Sequence, residues 1–265
     1  MGFFRINYNK PGPGVQKDEP RKKGFKRFIE VFFRDFMDLV KLNLLFTICV
    51  IPTIGFFIFG LAGSFIAIVL SLLAAYPVGG AAVAYVFYIT KMLRDDPSYV
   101  WYDFKRKFIE NHKQASLVGI LCTAFVYAQI YSLWGFLIVE GQGFDLIWFV
   151  VTLLATLLFW MIVPYVFMHF GYIDLKPLQI LKNSILMSLG YIPRSFMGAI
   201  TSSVIWVLAA LYFPVSMLFV PLIALIGVSL SILLCLMWVW PPFESYFKIE
   251  ETLMQRQEDK DSETE

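Results

Sequence analysis

The sequence predicts an all-α, polytopic membrane protein: six transmembrane helices arranged as three hairpins, with amphipathic helices lying in the cytoplasmic interface. Three observations predict it. The chain is 58% hydrophobic and only 16% charged, with a mean hydropathy of +0.68, outside the range of ordinary soluble domains. Residues 42–90, 114–139, 146–173 and 195–243 contain no Asp, Glu, Lys or Arg. A bilayer core of roughly 30 Å takes about 20 apolar residues as helix, so the first and last runs each hold two spans and the middle two hold one each. Finally, all 22 Lys and Arg fall in residues 1–41, 91–113, 174–194 and 244–265. Basic residues are retained on the cytoplasmic side, which places these four segments, and both termini, on one face of a plasma membrane.

Along the chain, residues 1–23 read as a flexible basic segment, with Pro11-Gly-Pro-Gly14 before Arg21-Lys-Lys23. A single six-helix membrane domain follows over 24–249. It opens with Phe25, Phe28, Ile29, Phe32, Phe33, Phe36 and Met37 at helical spacing opposite Lys26, Arg27, Glu30, Arg34, Asp35 and Asp38. A helix with such faces lies in the membrane interface, its bases drawn to the anionic inner leaflet. Spans are expected near 40–59, 65–89, 116–139, 146–169, 196–212 and 215–238. Gly60–Ser64, Glu140–Asp145 and Tyr212-Phe213-Pro214 serve as the outer turns. Asp96-Pro97 reads as the N-cap and first position of a second interfacial helix carrying Trp101, Phe104 and Phe108. Leu178, Leu181, Ile185 and Leu189 give a third, ended by Pro193. The polar tail 250–265 is expected to be disordered. No signal peptide is expected, because about forty mostly polar residues precede the first apolar run.

In this order the chain resembles the YesL family of bacterial integral membrane proteins, a family of unknown function. The carrying features are Pro11-Gly-Pro-Gly-Val15, the Phe-rich helix running into Leu39–Leu45, Ile51-Pro52, Tyr76–Ala82, Lys91–Asp96 and Asp103–Gln114. The resemblance implies a link to carbohydrate uptake or sugar-responsive signalling, and it supplies no catalytic residues.

The spans offer little chemistry. Ionisable side chains in a membrane mark ion pathways and proton relays, and here only His169 falls within a span, near its cytoplasmic end. A histidine there either bonds to backbone or water at the interface or serves a ligand. His112 sits on a charged cytoplasmic face. With two His and no carboxylate in the apolar region, neither a metal site nor a catalytic set is expected. No cofactor is expected, and nucleic acid is not an expected partner. Cys49, Cys122 and Cys235 lie in spans, without zinc spacing. Asn43, Gln129 and the Thr201–Ser203 cluster serve either interhelical hydrogen bonding or a ligand. Gly79-Gly80-Ala81-Ala82 permits close helix contact.

The sequence therefore suggests a non-enzymatic membrane accessory protein. Its expected contacts with a partner or membrane surface are Phe25, Phe28, Phe32, Arg34, Trp101, Phe104, Arg106, Lys107 and Phe108. The expected partners are the lipid bilayer and, by the resemblance, ABC sugar importer subunits or a sensor kinase. The alternative is a transporter or channel for an uncharged solute such as a sugar.

Overall fold

Charge-free sequence becomes helix throughout the computed structural model, which describes residues 24–138, 146–173, 175–212, 218, 220–253 and 255, with side chains left aside at a few of these. Among the described residues there is no strand. Helix α1 (Phe25–Arg34) is followed by α2 (Phe36–Leu61), α3 (Phe65–Ala74), α4 (Tyr76–Arg94), α5 (Val100–Ile138), α6 (Leu146–Tyr172), α7 (Pro177–Gly190) and α8 (Ile192–Leu211). A short turn α9 (Val220–Leu222) and a π-helical turn over Ile223–Gly227 lead into α10 (Val228–Phe247). Six helical segments are long and apolar enough to cross a membrane. Their exposed surfaces are rich in Ile, Leu, Val and Phe, as a lipid solvent requires. The chain is an all-α, multi-pass membrane protein.

Helix α4 is the centre of the bundle. It touches α2, α5, α6 and α10, and from Gly79 to Arg94 only Lys91 reaches even partial exposure. Its closest neighbour is α5, and small residues set that distance. A Cβ on Gly79 would collide with the Ala115 carbonyl, and one on Gly80 would lie 2.9 Å from His112 Cα. A Cβ on Gly119 would lie 2.6 Å from Gly79 Cα. Backbone meets backbone there, which is how helices gain van der Waals contact when lipid removes the hydrophobic drive between them. Gly79 and Gly80 are in the small-residue stretch noted in the sequence; their counterpart Gly119 is not.

The first outer turn forms where the glycines predict it. Gly63 takes φ 100°, a conformation glycine adopts freely, and the Ser64 hydroxyl accepts from the Ala67 N–H at 3.4 Å to cap α3. The other two outer turns, Glu140–Asp145 and most of the Tyr212–Pro214 turn, lie outside the described residues, as do 1–23. Past α10, Lys248 takes a left-handed φ of 48°, and residues 249–253 are again helical, so ordered helix crosses the expected boundary at 250.

Two expectations are corrected. The second interfacial helix is not separate: α5 runs unbroken for 39 residues, about 58 Å at 1.5 Å per residue. No Gly or Pro interrupts 98–118, and the glycine seam ties the middle of the helix to α4. Nor does Asp96 cap that helix. Its N–H closes the end of α4 on the Lys91 carbonyl at 3.1 Å, and its carboxylate pairs with Arg94 at 2.6 Å. The helix begins instead at Val100, where Asp103 Oδ2 reaches back to the Tyr99 N–H at 3.1 Å.

The second and last membrane segments are interrupted. Pro77 has no N–H to continue α3, so the chain turns at Ala75 and restarts as α4 with Pro77 in its first turn. The π-helical turn breaks the regular ladder ahead of α10. Because the α4–α5 seam has no room for a side chain, Gly79→Ala or Gly119→Ala is expected to destabilise the protein by about 1–3 kcal/mol. Gly55→Ala, where nothing lies within 4 Å of the new Cβ, is expected to stay within about 0.5 kcal/mol. Thermal unfolding in a mild detergent, followed by size-exclusion chromatography, distinguishes them.

Candidate functional site

The charged side chains gather at one end of the bundle, where α4 stops. A buried helix end leaves carbonyls that need donors, and the sequence supplies them in two ways. First, the chain turns back on itself: Asp95 takes a left-handed φ of 63°, and the Asp95 and Asp96 N–H groups bond to the carbonyls of Met92 (3.2 Å) and Lys91 (3.1 Å). This is the Schellman arrangement, with aspartate where glycine is usual. Second, α1 lays two arginines across the end. Arg27 donates to the Leu93 carbonyl at 2.9 Å and Arg34 to the Met92 carbonyl at 2.9 Å. Both also grip Asp95, Arg27 at 2.6 Å and Arg34 through its other terminal nitrogen. Two cations at a helix C-terminus are favoured by its dipole as well.

Proton affinities follow from the grip. Burial, the largest single influence, pushes the Asp95 carboxyl up. The hydrogen bonds from Arg34 and Arg27, with their charges, outweigh it and hold the group below the ordinary carboxylate range. Arg34 is held more firmly protonated than usual, chiefly by its hydrogen bond with Asp35 and also by Asp95, against the opposing effect of burial.

Asp103 is a second centre. It is 3% exposed and accepts from Lys91 Nζ at 2.9 Å and Arg106 at 3.4 Å, in addition to the Tyr99 N–H. Lys91 thus ties α4 to the start of α5. Arg94, also 3% exposed, pairs with Asp96 and lies over the rings of Tyr172 (5.3 Å) and Trp240 (5.6 Å). Cation–π contacts of this kind strengthen when water is excluded. They join α4 to α6 and α10.

These contacts divide the nine expected surface residues. Phe25 (71% exposed) and Trp101 (65%) face outward, and Phe28, Phe32 and Phe108 are half-buried. Phe104 is buried in the core. Arg34 is engaged with Asp35 and Asp95 as described. Lys107 pairs with Glu110 at 2.8 Å and lies over the Phe87 ring at 4.7 Å. Arg106 keeps its guanidinium at the surface, over Tyr102 at 5.5 Å. On α1, Phe25 and Phe33 point away from the protein, Phe28 and Phe32 lie along its edge against the core, and Arg27 and Val31 point inward.

The three expected intramembrane polar residues all bond to protein. Asn43 Oδ1 accepts the Ser229 N–H at 3.1 Å, just past the π-helical turn where the ladder is displaced. Ser229 Oγ donates to the Leu39 carbonyl at 2.6 Å. The Tyr85 hydroxyl therefore donates to Ser229 Oγ at 2.5 Å, with Asn43 Oδ1 3.1 Å away as its second acceptor. Asn43, Tyr85 and Ser229 are all fully buried. Gln129 Oε1 accepts from Thr156 at 2.9 Å, linking α5 to α6. His169 is fully buried. Its Nδ1 lies 2.7 Å from the Tyr165 carbonyl, which only accepts, so Nδ1 carries the proton. Ser184 Oγ is 3.1 Å from the same nitrogen, and the rings of Phe243 and Phe247 stand edge-on to the imidazole. Among the described residues, no three His, Cys, Asp or Glu side chains converge as metal ligands would.

Sequence periodicity missed Asp95, Asp103 and Tyr85. A left-handed aspartate and a tyrosine in an apolar run carry no periodic signal. Only Asp103, four residues past the Tyr99 it caps, had a local one.

Asp95→Asn tests the clamp, since asparagine tolerates the left-handed backbone while losing the charge. It is expected to weaken α1 docking by about 1–2 kcal/mol, allowing for screening at a partly exposed carboxylate. Hydrogen exchange in α1 measures the change. In the unmodified protein Asp95's folded-state pKa lies below its unfolded value of about 3.9. Its contribution is therefore complete above that value and is lost as pH falls through the folded pKa. Protection of α1 at neutral pH should accordingly decay only in acid, and Asp95→Asn should remove that dependence.

Comparison with protein-family models, with curated proteins and with solved structures finds no match to this chain.

Proposed function

We propose that the chain is a non-enzymatic accessory protein of the plasma membrane, both termini cytoplasmic, that binds another membrane component through its basic, aromatic face. The observation that supports this is how the side chains are distributed. Within the spans Asn43, Gln129, Tyr85 and the Nδ1 of His169 are used in contacts between helices or with backbone. At the charged end, by contrast, Tyr99, just before α5, and Trp101 and Tyr102 in its first turn stand 62–76% exposed. Aromatic residues and arginine are the side chains that carry most binding energy at protein interfaces. The resemblance to the YesL family points to an ABC sugar importer subunit or a sensor kinase as the partner.

The second reading, a transporter for an uncharged solute, has one observation in its favour. The interruptions at Ala75 and Ile223–Gly227 fall in the second segment of the first hairpin and the second segment of the last. Paired breaks of this kind flank binding sites in many transporters. It ranks second because the groups beside the breaks already have partners: Asn43 bonds to the Ser229 N–H, and Gly79 packs on α5.

Trp101→Ala combined with Tyr102→Ala, both exposed, is expected to reduce partner recovery about tenfold in mild-detergent co-purification with mass spectrometry, leaving thermal stability unchanged. Undiminished recovery rejects the surface. Proteoliposomes holding only this protein should show no saturable uptake of labelled sugar; clear uptake would establish the transporter instead.

A further inference from the structure

Helix α7 turns its apolar stripe away from the protein. Its inward face is Ile180, Ser184, Met187 and Ser188, packed toward α6 and α8. Leu178, Leu181 and Leu189 are 82%, 47% and 51% exposed and share one side of the helix by their spacing of three and eight residues. Lys182 on α7, Lys176 at its N-cap and Arg194 in the first turn of α8 are exposed. Among the described residues none of the three forms an ion pair. The sequence from 175 to 243 contains no Asp or Glu.

The contrast with α1 decides what covers this face. On α1, Arg27 and Arg34 are paired with Glu30, Asp35 and Asp95, which leaves Lys26 as the base of that helix without an ion pair among the described residues. Among the described residues, Lys182 on α7, Lys176 at its N-cap and Arg194 at the start of α8 form no ion pair and lie near leucines too exposed for water. Long basic side chains lay their stems along apolar surface and keep their heads at the polar boundary. An in-plane helix with an apolar face and unpaired bases matches the headgroup region of an anionic leaflet.

We infer that α7 is the anionic-lipid-binding element of this protein, seating its leucines among acyl chains and holding phosphate headgroups with Lys176, Lys182 and Arg194. The inference does not depend on the accessory or the transporter reading, because it uses neither α5 nor the interrupted spans.

The test uses the full-length protein purified in mild detergent and exposed to equal amounts of phosphatidylglycerol and phosphatidylcholine, with bound lipid counted by native mass spectrometry. The unmodified protein is expected to retain phosphatidylglycerol several-fold over phosphatidylcholine. The variant Lys176→Gln/Lys182→Gln/Arg194→Gln should lose most of that preference, while Lys26→Gln/Lys105→Gln/Lys113→Gln should keep it. A preference unchanged in the first variant, or equally reduced in both, overturns the assignment; the latter would be a general effect of surface charge. A fluorophore on Leu178→Cys, with the unsubstituted protein as the labelling background, gives a check that does not rely on charge. Brominated acyl chains in nanodiscs should quench it, and failure to quench would mean that protein or water, and not lipid, covers this face.

Discussion

The carbonyls of Lys91, Met92 and Leu93 at the C-terminus of α4 must find hydrogen-bond donors where the helix end is largely buried, and the charged end of the molecule is arranged around that requirement. Asp95 and Asp96 satisfy two carbonyls by turning the chain back. Arg27 and Arg34 reach from α1 to Leu93 and Met92 and hold the Asp95 carboxylate between them. Once α1 is fixed in this way, Phe28 and Phe32 pack against the core while Phe25 and Phe33 are left pointing outward. The same turn places Lys91 against Asp103, which aligns the start of α5, and Arg94 against Tyr172 and Trp240. One helix end therefore orients α1, α5, α6 and α10.

Within the membrane-spanning part the controlling rule is that no backbone or side-chain polar group can be left to lipid. The breaks at Pro77 and at the π-helical turn would violate it without local repair. At the first, the Ala75 N–H bonds back to the carbonyls of Ser71 and Leu72 and the Val78 N–H to the Ala75 carbonyl, and Asn43 repairs the second by taking the Ser229 N–H. The hydrogen bonds of Ser71 with Thr53 (2.8 Å) and of Ser132 with Thr152 (2.9 Å) add links of the same kind between helices. Such bonds contribute about 0.6 kcal/mol each in membrane bundles; their value lies in fixing which helices pair.

The division of labour among the amphipathic segments was only half visible in the sequence. Periodicity identified an aromatic face on α1 and a leucine stripe on α7, and both are on the outside. It gave no means of telling that Arg34 pairs with Asp95, 61 positions away, while Lys182 forms no ion pair among the described residues. For α5, the same pattern of Trp101, Phe104 and Phe108 reads equally well as a separate surface helix or as the first turns of a long span. Phe104 is buried, and the seam with α4 makes the helix continuous.

By itself the sequence determined the all-α class, the six spans, their approximate limits and the segregation of basic residues to four segments. Each of these follows from local hydropathy and charge, which act over one helix length at a time. Only the tertiary structure decided that α4 is the buried centre, that Asp95 and Asp103 are the charge hubs, and that Asn43 and Tyr85 meet Ser229. It also decided which bases are spent on ion pairs and which stay free. Those outcomes depend on contacts between residues far apart in the chain, set by where glycines allow backbones to meet and where a helix end needs donors, and no periodicity in one segment records its partner in another.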